Sequence, residues 1–174
     1  MNMLDHELNS LQLLNGLEYE DASHICSALR TSEFAANEAI LNEGECIQAL
    51  WIILSGECMV SRSAESGPEQ PLALLRQGDV FGEMSFVRTA PHSASIRAVT
   101  DVTACCYHRE DFLKLSQQHP NIALRVTSNI ADVLAERLRR MDTWVCEIMA
   151  RPEENQHRSE WETFRSAVYT NWNF

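Results

Sequence analysis

At 174 residues and 45% apolar content, the chain can bury a real core as one domain, or as one domain with an appendage. A net charge of −11, with Lys114 the only lysine, argues against a general nucleic-acid or anionic-membrane surface. No apolar run approaches the roughly 18 residues of a membrane span, and the start Met1-Asn2-Met3-Leu4-Asp5-His6 lacks the basic and apolar regions of a signal peptide.

Residues 4–30 read as two short helices. Leu8, Leu11 and Leu14 share one helical face before Asn15-Gly16, and Ala22, Ile25, Cys26 and Leu29 form a second stripe. From Ser32 to Tyr107 the signals are short and strand-like. Ala39-Ile40-Leu41 precedes a turn at Asn42-Glu43-Gly44-Glu45. Leu50–Leu54 is wholly apolar, as a buried strand is, and Glu57–Ser61 alternates. Ser63–Pro71 is polar and reads as an exposed hairpin tip. Leu72–Leu75, Ile96–Val99 and Val102–Tyr107 complete the series, which predicts a small barrel or sandwich. Helical signals return at Asp111–Gln118. Pro120 suits the first turn of a longer helix reaching about Ala150. On it Ala131, Leu134, Leu138, Met141, Val145 and Ile148 alternate spacings of three and four, as a heptad seam does. Beyond Arg151-Pro152 the chain turns polar, with one short amphipathic segment carrying Trp161, Phe164 and Val168.

Catalytic and metal chemistry find little support. Cys26, Cys46, Cys58, Cys105, Cys106 and Cys146 include no C-x-x-C pair, and the six histidines show no metal-ligand spacing. Neither a nucleophile elbow nor a phosphate-binding P-loop occurs. The expectation is a non-enzyme with reduced thiols, no metal and no required cofactor, in the cytoplasm.

The most informative segment is Phe81-Gly82-Glu83-Met84-Ser85-Phe86, a short spacer, then Pro91-His92-Ser93-Ala94-Ser95. Gly82 leaves backbone N–H groups open to a small anion. Glu83 offers an ionised acceptor for a sugar hydroxyl, and Ser93 a hydroxyl donor for a phosphate oxygen. A short helix over residues 83–88 adds a favourable N-terminus. The segment resembles the phosphate-binding cassette of the cyclic-nucleotide-binding domain family. Where that family places the arginine that grips the phosphate, this chain has His92.

The resemblance covers roughly residues 13–148. It implies a mainly β fold with flanking helices: a jelly-roll-like β-roll over 31–108, N-terminal helices over 4–30, and C-terminal helices over 109–150 ending in a dimerisation helix. Residues 1–150 then form the domain and 151–174 a tail. The implied ligand is cAMP, cGMP or a related anion, held by Phe81, Gly82, Glu83, Met84, Ser85, His92, Ser93, Ala94 and Ser95. Arg88 and Arg97 are candidate auxiliary cations. The implied partner is a second copy of the chain through the seam from Ala131 to Ile148. The polar tail is too short for the helix-turn-helix domain of the family's transcription regulators and lacks a basic recognition helix, so DNA binding by this chain alone is not expected. The function expected is a regulatory sensor that signals through its C-terminal helix. The alternatives are a degenerate, nucleotide-free dimerisation module, and a transcription regulator without its DNA-binding part. One charged hydrogen bond is worth ~1.5–3 kcal/mol, so exchanging arginine for His92 implies binding weakened by roughly ten- to a hundredfold.

Overall fold

A computed structural model describes residues 12–63 and 68–149, with Ile148 and Met149 as backbone only. Leu8 and Leu11, the centre of the hairpin tip, the seam position of the Ile148 side chain and the tail beyond Met149 lie outside the described residues. The chain divides into two compact units, Met1–Asp132 and Val133–Phe174.

The described residues of the first unit form eight strands: β1 (Arg30–Phe34), β2 (Ala39–Leu41), β3 (Ala49–Ser55), β4 (Cys58–Arg62), β5 (Gln70–Leu75), β6 (Val80–Phe81), β7 (Ser95–Ala98) and β8 (Val102–His108). They form two antiparallel four-stranded sheets, β1-β8-β3-β6 and β2-β7-β4-β5. The mainly β fold expected from the sequence is what the chain adopts. The apolar run of β3 is central and buried because β8 and β6 flank it, in the registers Ile52↔Cys105 and Trp51↔Phe81. Between the sheets lie Leu41, Trp51, Ile53, Cys58, Phe81, Ile96, Val102 and Cys106. Burial pushes the Cys58 thiol up to about 11 and Cys105 up to about 12, so both stay protonated and act as small apolar side chains.

The helices are α1 (Tyr19–Cys26), α2 (Glu83–Val87), α3 (Arg109–Gln118) and α4 (Pro120–Met149). One local reading is corrected and one strand was not foreseen. Most of the first expected helix lies outside the described residues, which show a 3-10 turn at Gln12–Leu14 followed by Gly16 at φ +74°. The second stops at Cys26, short of Leu29, because the chain must extend to pair Arg30 with Cys106. The two-residue β6 was not foreseen, since a strand that short carries no periodicity. Buried Asn129 of α4 donates from Nδ2 to the carbonyls of Leu13 (2.7 Å) and Asn15 (2.9 Å), satisfying the turn's otherwise orphaned acceptors.

In the second unit α4 continues as a helix with exposed apolar side chains. Glu136 accepts from Arg139 and Arg140 there. No helix among the described residues is long and apolar enough to cross a membrane.

Candidate functional site

Gly82 sets the geometry of the cassette. It follows β6 and caps α2 in the left-handed region, at φ +80°. A Cβ placed there would lie 2.5 Å from the Ala49 carbonyl oxygen, so both the conformation and the approach to β3 demand glycine. The turn sends Phe81 and Phe86 into different packing environments. Phe81 stacks on Trp51 with ring centroids 5.9 Å apart, whereas Phe86 packs against Tyr107 and Phe112. Helix α2 has only five residues. A polarised helix terminus therefore adds little, and any anion site here rests on side chains and the Gly82 turn.

Three polar residues sit inside rather than outside: Glu83 at 5% exposure, Ser85 at 2% and His92 at 7%. Ser85 Oγ lies 3.0 Å from the Gly82 carbonyl oxygen, 3.4 Å from that of Ile47 and 3.1 Å from His92 Nδ1. Main-chain bonds fix the histidine loop: His92 N–H donates to the Glu45 carbonyl (2.8 Å), and Gly44 N–H donates to the His92 carbonyl (2.9 Å). Burial holds the imidazole below its ordinary pKa, and the Glu45 charge opposes that shift. His92 Nε2 is buried without a hydrogen-bond partner, as is Trp51 Nε1.

The remaining expected residues are spread around this centre. Ser93 is exposed, with its hydroxyl 3.7 Å from Met84 Sδ, and Met84 is itself exposed. Ala94 is half-buried. Ser95 Oγ accepts from the Glu43 N–H at 3.0 Å, bracing the β2–β3 turn. Arg88 is exposed just after α2. Arg97 donates to the Asn37 carbonyl at 2.6 Å, which occupies that guanidinium with the main chain. The structure therefore joins Ser85 both to His92 and to the Gly82 carbonyl, buries Glu83 on the same short helix, and gives Ser95 and Arg97 bracing contacts.

Two residues at this site were not singled out from the sequence. Trp51 sat in an apolar strand run and read as core, yet its Cδ1 lies 3.4 Å from the position of a Cβ on Gly82. Arg109 donates from Nη1 to the carbonyls of Phe86 and Val87 (3.1 Å to the latter), capping the C-terminal end of α2 from α3. No group of three or more His, Cys, Asp or Glu among the described residues is arranged to hold a metal ion.

A family model described as the cyclic nucleotide-binding domain matches residues 31–119, which is the β-roll with the cassette at its centre. The chain belongs to that family. The "Cyclic AMP receptor protein" of Thermus thermophilus is 35% identical over 130 residues, covering 75% of this chain and 58% of the relative. The cAMP-dependent protein kinase regulatory subunit of Emericella nidulans is 32% identical over 123 residues, covering 71% of this chain and 29% of the relative. The chain thus spans little more than half of the first relative and under a third of the second. Among solved structures, the Thermus thermophilus catabolite activator protein superposes with a TM-score of 0.69 at 34% identity, over 79% of this chain and 62% of that one. These relatives are regulatory proteins by name. Within this family the chain carries histidine at the position expected for the phosphate-gripping arginine.

Proposed function

We propose that the chain is a regulatory sensor module that binds cAMP, cGMP or a related cyclic phosphodiester in the β-roll. The observation that carries this reading is the pairing of family membership with a cassette that keeps Glu83, Ser85 and His92 buried behind the Gly82 turn. Of these groups His92 Nε2 is buried without a partner, and such an atom costs free energy that a ligand acceptor would offset. Glu83 is the acceptor for the ribose hydroxyl, and His92 with Ser93 and the backbone around Gly82 takes the phosphate. The names of two relatives, one a cyclic AMP receptor and one a cAMP-dependent kinase subunit, support the ligand class. Calorimetric titration with cAMP and cGMP tests it. Dissociation constants in the high micromolar range or weaker are expected, and no heat of binding at millimolar nucleotide overturns it.

The same proposal assigns the output to α4, residues 1–150 to the working domain and the cytoplasm as its compartment. Leu138 (41% exposed), Met141 (47%) and Trp144 (62%) stand on the C-terminal half of this helix in the single chain. A second copy of the chain is the occupant proposed for them, through the seam that also includes Ala131, Leu134 and Val145. Light scattering at tens of micromolar should give a dimer for the native chain and a monomer for the double variant Leu138→Glu with Met141→Glu. A monomeric native chain overturns the dimer.

A second reading, a dimerisation module that no longer takes nucleotide, is favoured by His92 itself. Its Nδ1 is already engaged by Ser85, and neither Arg88 nor Arg97 has a contact that replaces a phosphate-gripping arginine.

A further inference from the structure

We infer that ligand uptake at the cassette is proton-coupled: His92 is neutral in the empty protein and becomes imidazolium when an anionic ligand accepts from its Nε2–H. This rests on the proposed nucleotide site and specifies how that site is regulated.

The geometry allows the change. Ser85 has one hydroxyl proton and three neighbours able to accept it, at Gly82 O, Ile47 O and His92 Nδ1. When the hydroxyl donates to Nδ1, the ring is neutral with its proton on Nε2. When it turns to either carbonyl, the Ser85 oxygen is free to accept from Nδ1–H, and the ring can carry both protons. Ser85 thus serves either charge state without moving its backbone. Nε2 is the atom left over, buried and without a partner. In the imidazolium form it is a charged donor that needs an acceptor, and an anion supplies one.

The surrounding charges set the direction. The elements packed against the ring carry Glu43 and Glu45 on the β2–β3 turn, Glu83 on α2, and Arg88 just after α2. Glu43 is committed to the Ser63 N–H and to Arg62. Arg88 is exposed. Glu45, whose carbonyl receives the His92 N–H, is the carboxylate whose charge favours the imidazolium. Burial opposes it and dominates in the empty protein. A bound anion adds to the Glu45 side of the balance. The complex then holds more protons than its separated parts, so affinity rises as pH falls.

The test is calorimetric titration of the full chain with cAMP and cGMP at pH 6, 7 and 8, each in two buffers of different ionisation enthalpy. The native chain should gain affinity toward lower pH, by up to about tenfold per unit for one linked proton, and should take up close to one proton on binding at pH 7. His92→Arg should bind roughly ten- to a hundredfold tighter than the native chain at pH 8, the factor for one charged hydrogen bond, with a flat pH profile and no proton uptake. His92→Asn, which keeps a neutral polar group should arginine prevent folding, should also show neither slope nor uptake. Native binding that is independent of pH or proton-neutral overturns the coupling and leaves the nucleotide site standing. A slope that persists in either variant places the titrating group elsewhere and overturns it too. Binding by His92→Arg with a silent native chain at pH 6 has the same consequence. Silence from the native chain and both folded variants overturns the coupling and the nucleotide site together.

Discussion

The cassette and the far half of α4 break the usual partition of side chains in opposite ways. At the cassette Glu83, Ser85 and His92 are buried, although residues of their kinds are mostly exposed. On α4 Leu138, Met141 and Trp144 are exposed, although residues of their kinds are mostly buried. At the cassette the buried atom left without a hydrogen-bond partner is His92 Nε2, and on α4 apolar side chains stay exposed among the described residues. The anion and the second copy of the chain proposed above would meet those two needs. The cassette is also over-determined, with main-chain bonds, a left-handed glycine and two buried phenylalanines fixing it. On the exposed helix face the described residues show a backbone ladder and surface ion pairs from Arg139 and Arg140 to Glu136.

Truncating a side chain in each region should separate them most sharply. Phe86→Ala removes a ring that is 1% exposed and packed on Tyr107 and Phe112. It should cost about 3–5 kcal/mol in urea unfolding. Leu138→Ala, measured at dilution where the chain is monomeric, should change stability by no more than about 0.5 kcal/mol. Comparable losses for the two would mean that the Leu138 face is covered within the monomer.

Backbone strain gives the next largest effect. Gly82→Ala forces a Cβ into the left-handed region and to 2.5 Å from the Ala49 carbonyl oxygen. The conformational part alone should cost about 1–3 kcal/mol, and the contact adds to it. Nucleotide binding should weaken more than stability predicts, because the turn that positions Glu83 must shift. An alanine variant with native stability and native binding would show that the turn relaxes freely.

Much of this was legible in the residues. The wholly apolar Leu50–Leu54 run and the turn residues around it indicated a small β fold, and the spacing between Phe81-Gly82-Glu83 and Pro91-His92-Ser93 marked the cassette. Period and spacing are one-dimensional signals, and both survive folding. What they did not contain was pairing across the chain. Nothing local to Ser85 announces that its hydroxyl meets His92 seven residues on, or that Arg109, more than twenty residues past Phe86, closes the end of α2. Trp51 was hidden for another reason: an indole in an apolar run reads as core, and only its unbonded Nε1 sets it apart.

The buried histidine also gives the two regions different responses to acid. Burial lowers the pKa of His92 in the folded, empty protein below its ordinary 6.5. The unfolded chain therefore binds more protons in that range. Stability is fully present above about pH 6.5 and declines as pH falls toward the lowered folded value, by at most about 1.4 kcal/mol per unit for one proton. His92→Asn should remove this part of the slope in urea unfolding between pH 7 and pH 5. Added nucleotide should reverse its sign, since the complex retains the proton. A wild-type slope identical to that of the variant would show that His92 does not titrate in this window.

The smallest effect belongs to the ion pairs on α4. Hydrogen bonds from Arg139 and Arg140 hold the Glu136 carboxylate well below its ordinary value, at about 2. A lowered folded pKa means that its contribution is present above the unfolded value and lost as pH falls through about 2. All three side chains face solvent, and pairs of this kind contribute little because water and salt compete with them. Glu136→Gln should therefore leave urea stability at pH 7 almost unchanged. It should lower helical circular dichroism slightly at low ionic strength. That difference should vanish in 1 M salt, where the screening length shrinks to about 3 Å. A large, salt-insensitive loss would show that the carboxylate is shielded from solvent, and that this face of α4 is already covered in the native protein.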